Sequence, residues 1–314
     1  MEHDNPRMQR YFLYFSYDGT NYHGWQLQPN GISVQAVLQQ ALTTLLRTPI
    51  EVVGAGRTDT GVHARLMVAH FDFAEAMDTE QVVYRLNRML PRDISVQKLV
   101  PVDSDMHARF SAKWRTYRYY IHTAKSPFLR HYSLLVTFPL DFKRMNEGCK
   151  LLLAQRDFAA FCKSGGDNKT TLCEVTTCQW VQTTAHEWYF EITANRFLRN
   201  MVRATVGTLM LLGRHKISLS EFQRILTDGN RSQAGESMPG HALFLEDIVY
   251  LLGEGRNEAL RPEICVRDSP KRCFYQKQSK SPRYLVCFFS KTDVPTPWTS
   301  YFSQKRLFQL LGRA

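Results

Sequence analysis

The sequence has no apolar run that approaches the length of a membrane span, and its first ten residues, MEHDNPRMQR, have an acidic start and no apolar core. A spanning helix needs about 20 predominantly apolar residues, and a signal peptide needs an apolar core behind a basic start. Both absences favour a cytoplasmic protein with no membrane partner. Hydrophobic residues make up 44% of the chain and charged residues 22%, which is typical of a globular protein with a buried core.

Cysteine is sparse and follows no pattern. Seven cysteines are scattered along 314 residues, and no Cys-x-x-Cys occurs, which predicts reduced thiols in a cytosolic protein. Cys162, Cys173, Cys178 and His186 are the nearest approach to a metal-binding set, but their spacings match no standard zinc pattern. We therefore predict no metal site.

Acidic residues are outnumbered, and the imbalance is uneven. The chain has 40 Lys and Arg against 29 Asp and Glu, a net charge of +11. Residues 251–314 hold 12 of the basic and 5 of the acidic residues, or +7, which leaves 28 and 24, or +4, for residues 1–250. A basic balance is compatible with a nucleic-acid partner and equally with a solvated basic surface.

Strand and helix patterns alternate up to residue 250. Apolar periodicity and turn signals predict eight strands and five helices. The strands are predicted at 11–17, 50–53, 66–73, 94–100, 115–122, 174–182, 187–193 and 243–250. The helices are predicted after an N-cap at Ser33, at Thr79 and at Asp141, and over 196–212 and 220–228. This order predicts an α/β protein with two halves, 1–107 and 108–250, that share a joined sheet.

Residues 251–314 differ in character from both halves. They are basic, they contain five prolines, and they show no sustained period. One apolar run, YLVCFF at 284–289, has the composition of a strand. We interpret 251–314 as an appended basic segment, for which the pattern predicts neither order nor disorder.

The run GAGRTDTGVHA at 54–64 places one carboxylate, Asp59, in a glycine-rich turn. A dinucleotide-binding loop would need a third glycine where Asp59 stands, and a phosphate-binding P-loop would need Gly-Lys-Ser/Thr. Asp59-Thr60-Gly61 matches the motif of aspartic proteases, but those enzymes need two carboxylates that share a proton. The chain has no second Asp-Thr-Gly or Asp-Ser-Gly, so none of the three patterns is complete.

Two further segments carry arginine and tyrosine in regular spacing. In the strand RTYRYYIH, Arg115, Tyr117 and Tyr119 share one face, which can be a stacking platform for a base or the buried face of an ordinary strand. In the predicted helix over 196–212, Arg196, Arg199 and Arg203 form a basic stripe. The stripe can be a solvated face, or Arg203 can be partly buried and paired with a carboxylate or phosphate.

Asp59, Tyr117 and Arg203 together would suit chemistry on a nucleobase. A paired aspartate stays ionised, and a base taken out of its stack needs an aromatic ring and a cation to hold it. Spacing alone does not bring the three residues together.

Five motifs resemble those of the bacterial tRNA pseudouridine synthase A family, in the family's order and over residues 10–250. They are YDGTNYHGWQ at 17–26, GAGRTDTGVHA at 54–64, HARFSAKWRTYRY at 107–119, NRFLRNMVRATVG at 195–207 and HALFLEDIVY at 241–250. The resemblance implies two ferredoxin-like halves joined into one extended, mostly antiparallel sheet flanked by helices. It also implies a homodimer without metal or organic cofactor that converts uridine to pseudouridine at positions 38, 39 and 40 of the tRNA anticodon stem-loop.

The same resemblance implies roles for individual residues. Asp59 would be the nucleophile, Arg203 would pair with it, and Arg57 would help to flip the target base. Tyr117 would stack on that base and assist proton transfer. Further tRNA contacts would come from His107, Arg109, Phe110, Asn168, Lys169 and Thr170.

The chain departs from the family pattern at two places. Ala242 stands where glycine is usual, which puts the fit of the loop over 237–242 in question, and the family normally ends near residue 250, which leaves residues 251–314 unexplained. Within the matching motif at 54–64, Thr60 stands where alanine is common. Two rival functions also have distinct signatures. A non-catalytic RNA-binding protein would not need Asp59, Tyr117 and Arg203 together, and an aspartic protease would need the second motif that is missing.

Overall fold

Strands and helices alternate in the computed structural model, which describes residues 8–163 and 169–250. The first half contains β1 (Gln9–Tyr17), α1 (Val34–Leu46), β2 (Val53–Gly54), β3 (His63–Phe73), α2 (Thr79–Met89) and β4 (Ile94–Val102). The second half contains β5 (Ala112–His122), β6 (Leu134–Leu135), α3 (Phe142–Ala154), β7 (Val175–Gln182), β8 (Glu187–Ala194), α4 (Met201–Gly213), α5 (Leu219–Asp228) and β9 (Leu243–Tyr250). The appended segment 251–314, its apolar run at 284–289 and Asn168 lie outside the described residues.

Helix starts follow their capping residues. The side chains of Ser33 and Asp141 accept hydrogen bonds from the first turns of α1 and α3, as predicted. The predicted cap of α2 at Thr79 is wrong, because Asp78 accepts the hydrogen bond from Gln81 N–H and Thr79 is already helical. A carboxylate caps well and also complements the positive end of the helix dipole.

The predicted start of α4 is also wrong. Asn200 has a φ of 68°, in the left-handed region, and the helix begins at Met201. Asparagine tolerates this conformation better than most residues, and residues 196–198 before it are not helical. Arg196 and Arg199 therefore precede the helix, and the predicted basic stripe with Arg203 is absent.

The described strands form one sheet in the order β4-β1-β3-β9-β5-β8-β7, with β2 on β3 and β6 on β5. All strand pairs are antiparallel except β3–β9 and β5–β6. Apart from the short β6 and the additional helix α5 of the second half, each half has the connectivity βαββαβ. The four strands of each half lie in the order 4-1-3-2, as β4-β1-β3-β2 and as β9-β5-β8-β7. This is the ferredoxin-like arrangement, so the predicted fold class is confirmed. All described residues belong to one compact unit, and the domain boundary at 107/108 stays a prediction.

The two halves join where β3 meets β9. This pair is parallel and short, with His63 opposite Phe244 and Ala64 opposite Leu245. Farther along the same edge of β3, β2 pairs through Val53 and Gly54. The chain between β2 and β3, residues 55–62, is called the aspartate turn below, and it lies beside the junction of the halves.

The core lies between the sheet and the helices. Alternate residues of β5, namely Arg115, Tyr117, Tyr119 and Ile121, are buried, and the residues between them are half-buried. The large buried aromatic residues of β1 fill the core of the first half. No helix in the ranges that the structure describes has both the length and the apolar character to cross a membrane.

The loop before β9 lies directly on α4. Residues 235–239 are called the closing loop below. A Cβ atom on Gly207 of α4 would lie 1.9 Å from the carbonyl oxygen of Glu236, and one on Gly235 would lie 2.6 Å from the carbonyl carbon of Gly207. Two backbones meet here without side chains between them, which only glycine permits.

We expect Gly207→Ala to lower the free energy of unfolding by roughly 1–3 kcal/mol, the usual cost of overpacking. Alanine favours a helix over glycine by about 1 kcal/mol, so a loss of stability would report the contact with Glu236. The measurement is urea unfolding followed by circular dichroism. Gly56→Ala is the matched control, because no atom lies within 4 Å of its added Cβ. An unchanged or raised midpoint for Gly207→Ala would show that the closing loop does not lie on α4.

Candidate active site

The aspartate turn presents Asp59 at the edge of the sheet. The Ala55 N–H donates to the Val68 carbonyl at 2.8 Å, so the turn starts as a continuation of the β2–β3 pairing. Val62 N–H donates to the Asp59 carbonyl at 3.1 Å, and Gly61 between them has a φ of 74°. Glycine adopts this conformation without a steric penalty. The result is a tight turn that leaves the Asp59 side chain 34% exposed.

Arg203 in the first turn of α4 pairs with Asp59. Its Nη1 lies 3.0 Å from Asp59 Oδ2, and the Arg203 side chain is 22% exposed. Its Nε donates to the Met238 carbonyl of the closing loop, and Met238 N–H donates back to the Arg203 carbonyl at 3.2 Å. The expected partly buried arginine with a carboxylate partner is therefore present. The guanidinium is held from two sides, which fixes its direction toward Asp59.

Tyr117 lies on the buried face of β5, close enough to Asp59 for the charge of the carboxylate to act on its phenol. The β5–β9 register shifts between Thr116 and Tyr117, and such irregularities often re-aim a side chain beside a functional site. The Tyr117 side chain is 7% exposed and meets the Phe197 ring edge-on, with 4.9 Å between centroids. Burial raises the pKa of Tyr117 to about 12, with the charge of Arg115 acting to lower it and that of Asp59 to raise it. The phenol is therefore neutral at neutral pH.

The first sequence motif supports the aspartate turn from behind. The hydroxyls of Tyr17 and Thr58 are hydrogen-bonded at 2.8 Å inside the core, and Trp25 N–H donates to the Thr58 carbonyl at 3.2 Å. Gly24 has a φ of 86°, and a Cβ there would lie 2.3 Å from that carbonyl. The residue immediately before Asp59 is thus fixed through both its side chain and its backbone.

The closing loop holds Arg203 in place and is itself well supported. Tyr119 Oη donates to the Pro239 carbonyl at 3.0 Å, and Gly235 N–H donates to Thr208 Oγ1 at 2.8 Å. Arg231 donates to the Gly235 carbonyl and to Ser237 Oγ, both at 3.0 Å. The loop is therefore fixed to β5, to α4 and to Arg231, which precedes it in the chain.

The departure at Ala242 does not disturb the site. Ala242 is fully buried in the short 3₁₀ turn Gly240–Ala242, and its φ is not positive. The turn also contacts the aspartate turn, since a Cβ on Gly240 would lie 2.5 Å from the Thr60 carbonyl. Because the backbone at position 242 does not adopt a conformation that requires glycine, alanine fits there.

Residues 107–111, called the HARFS segment below, present an exposed aromatic ring. Phe110 is 76% exposed, and its ring centroid lies 4.3 Å from that of His107. The Arg109 guanidinium lies 5.6 Å from the same ring. His107 Nδ1 accepts from the Arg109 and Phe110 N–H groups at 3.0 and 3.3 Å, which shapes the segment. An exposed ring with a cation beside it is a surface on which a nucleobase can stack.

The other predicted contact residues are not assembled with Asp59. Arg57 is exposed and makes no hydrogen bond or ion pair with the described residues. Lys169 is exposed, and Thr170 Oγ1 accepts from Leu172 N–H at 3.1 Å. Asn168 lies outside the described residues. Within the ranges given above, no three His, Cys, Asp or Glu side chains come together as metal ligands.

Several residues that build the site are not predicted from the sequence. Thr58, Tyr17 and Phe197 lie within the motifs described above, so the motifs could have pointed to these residues. The motifs do not show which groups these residues contact. The Met238 carbonyl carries no side-chain signature at all. The strand pattern places Arg115 only as a neighbour of Tyr117 on one face. An arginine on a buried strand face is itself an indication that its guanidinium has hydrogen-bond partners in the core.

The sequence is similar to those of one protein family. A family model described as tRNA pseudouridine synthase matches residues 14–111 and 149–251. The chain is 54% identical over 244 residues to the tRNA pseudouridine synthase A of Bacteroides fragilis, covering 77% of this chain and 97% of that protein. It is 52% identical over 245 residues to the protein of that name in Bacteroides thetaiotaomicron, covering 77% and 91%. For Acetivibrio thermocellus the values are 39% over 245 residues, covering 77% and 100%.

A pH dependence of stability follows from the histidine beneath the HARFS segment. His70 Nδ1 accepts from the Ala108 N–H at 3.2 Å, which requires an unprotonated nitrogen. Burial, followed by the charges of His107 and Arg10, lowers the pKa of His70 from 6.5 to about 4. Below pH 6.5 the unfolded chain takes up the proton more readily than the folded one, so the folded state loses stability as the pH falls toward about 4.

We expect His70→Gln to reduce this loss, because glutamine can accept from Ala108 N–H and does not titrate. The measurement is the free energy of unfolding from urea titrations between about pH 7 and pH 4, compared with wild type. Equal slopes for the two proteins would contradict the assignment, as would a direct NMR titration of the His70 ring with an ordinary midpoint.

Proposed function

The chain belongs to the tRNA pseudouridine synthase family, and we propose that it uses Asp59 as the nucleophile on uridines of the anticodon stem-loop, at positions 38, 39 and 40. As a member of this family it is an isomerase that forms pseudouridine in tRNA. The observation that carries the proposal is the Asp59–Arg203 ion pair, which joins the two halves. Tyr117 lies close enough for the charge of Asp59 to act on its phenol. The target positions rest on the sequence resemblance.

The reaction balances within one nucleotide. The bond between N1 of uracil and C1′ of ribose breaks, and a bond between C5 and C1′ forms. The proton on C5 leaves, and N1 gains a proton, so no electrons are gained or lost overall. The protein must therefore supply a group that releases the base, a surface that lets it turn, and a path for one proton.

Asp59 meets the requirements of the releasing group. A carboxylate can attack the sugar or the base, or can promote loss of a sugar proton, and each of these needs close approach to a base that has left its stack. Asp59 is one-third exposed on a tight turn whose neighbours are small. Arg203 holds the carboxylate in one direction, which preorganises it for attack.

Tyr117 suits a surface for the base better than a general base. With its pKa raised to about 12, the phenol is protonated at neutral pH, whereas an effective general base has a pKa near the working pH. Its ring already packs against Phe197. We assign Tyr117 to stacking on the target uracil, with its hydroxyl available as a hydrogen-bond donor.

Binding of tRNA is assigned to groups around this centre. Arg57 is exposed two residues before Asp59 and is free to enter the duplex as the base leaves it. His107, Arg109 and Phe110 offer an exposed ring and a cation. Asn168, Lys169 and Thr170 are assigned to tRNA contact on the family resemblance, as is the homodimer.

We expect Asp59→Asn to abolish pseudouridine formation and to leave tRNA affinity within a few-fold of wild type. Binding rests on many phosphate contacts, whereas the reaction rests on one carboxylate. The assay is pseudouridine formation on unmodified tRNA transcripts, with binding measured at fixed salt. Asp228→Asn, on an exposed carboxylate at the end of α5, is the matched control. Residual activity of Asp59→Asn within about tenfold of wild type would remove Asp59 as the nucleophile. A wild-type protein that binds tRNA without forming pseudouridine would support the non-catalytic alternative.

Tyr117→Phe and Tyr117→Leu separate stacking from proton transfer. If Tyr117 serves as the stacking surface, phenylalanine keeps the ring and retains most of the single-turnover rate at saturating tRNA. Leucine loses the ring, and a lost stack costs about 1–3 kcal/mol. A loss of roughly 10²–10⁴-fold for phenylalanine would instead show that the hydroxyl moves a proton. Wild-type rates for both variants would show that Tyr117 is only a core residue.

A further inference from the structure

Arg115 is a buried arginine whose guanidinium is bound entirely by backbone. The residue is 9% exposed, and no carboxylate among the described residues pairs with it. Nη2 donates to the carbonyls of Arg109 at 2.6 Å and Ala55 at 2.9 Å. Nη1 donates to the carbonyl of Asn195 at 3.0 Å and, at 3.3 Å, to that of Ala112. Nε donates to Ala55 as well, at 3.3 Å.

These four carbonyls come from separate parts of the chain. Ala55 opens the aspartate turn, Arg109 belongs to the HARFS segment, Ala112 begins β5, and Asn195 follows β8 directly. Asn195 is also the first residue of the motif that leads to Arg203. One side chain therefore connects the turn of Asp59, the strand of Tyr117, the approach to Arg203 and the exposed ring of Phe110.

A buried cation without a counter-ion is costly unless many dipoles replace water around it. Burial lowers the pKa of Arg115, which reflects the same cost. A core position of this kind is normally filled by an apolar residue. The rigid fork of a guanidinium can reach several carbonyls in one plane, whereas an ammonium on a flexible stem cannot reach all four.

We propose that Arg115 is a positioning residue, which holds the aspartate turn and the HARFS segment at fixed positions relative to Tyr117. The surface that engages tRNA and the Asp59 carboxylate then keep one relative position during the reaction. The catalytic part of this inference rests on the function proposed above. Arg115 does not touch the ion pair, and it acts through the backbones of Ala55 and Arg109. Small displacements of a reacting group are expensive, since about 1 Å can cost 10²-fold in rate.

The test compares Arg115→Lys with Arg118→Lys. Arg118 lies one residue beyond Tyr117 on the other face of β5, where it pairs with Glu191 at 2.7 Å. We expect Arg115→Lys to lower the single-turnover rate at saturating tRNA by about 10²-fold while tRNA affinity falls only a few-fold. Arg118→Lys should leave both values near wild type. A role in global stability alone would not produce this separation of rate from affinity in folded protein.

Hydrogen exchange supplies a readout that does not depend on activity. In Arg115→Lys, the amides of residues 55–62 and 107–111 should exchange faster together, while those of α1 stay protected. If wild-type protein forms no pseudouridine, the proposed function fails, and the exchange experiment still tests the connection. If wild type is active and Arg115→Lys keeps its rate and its exchange pattern, the positioning role is overturned.

If Arg115→Lys does not fold, the proposal can still be tested on the wild-type protein. Under low urea, the amides of the aspartate turn and of the HARFS segment should open as one unit, with the same dependence on denaturant. Ala55, Gly61 and Val62 in the turn and Arg109, Phe110 and Ser111 in the segment all have bonded amides to follow. Separate openings would overturn the proposal.

Discussion

The ion pair between Asp59 and Arg203 is the contact on which the site depends. Asp59 belongs to the first half of the protein and Arg203 to the second, and their side chains meet at 3.0 Å. Neither half contains the arrangement alone. The β3–β9 pair that joins the halves has only two residue pairs in register, so the precision of the site must come from the side chains and loops around that junction.

Those supports act mostly through backbone. The closing loop grips Arg203 through the main chain of Met238, and it can do so because Gly207 lets it lie directly on α4. On the other side, Tyr17 and Trp25 fix Thr58, the neighbour of Asp59. Carbonyl oxygens and amide hydrogens are preorganised by the fold and lose little entropy when they bind, which makes them effective supports for a charged pair.

The ion pair and Tyr117 differ in charge and in exposure. Asp59 and Arg203 balance each other's charge at a partly exposed position, whereas Tyr117 is buried and neutral, with a raised pKa. The proposed reaction, in which a carboxylate acts on an uncharged base, would need a neutral ring of this kind near the carboxylate. Arg115, with its charge surrounded by carbonyl dipoles, lies two residues from Tyr117 and completes the polar framework.

The sequence by itself determined the fold class and most of the elements. Period-two and period-3.6 patterns located the five helices and all the described strands except the short β6, and Ser33 and Asp141 marked two of the helix caps, because these signals depend on neighbouring residues alone. The motifs also identified Asp59, Tyr117 and Arg203. Only the tertiary structure decided that Asp59 and Arg203 are bonded across the junction, that α4 begins after Asn200, that Arg203 donates to the Met238 carbonyl and that Arg115 donates to four backbone carbonyls. The physical reason is that contacts between distant segments, and bonds to backbone carbonyls that every residue carries, leave no pattern along the chain.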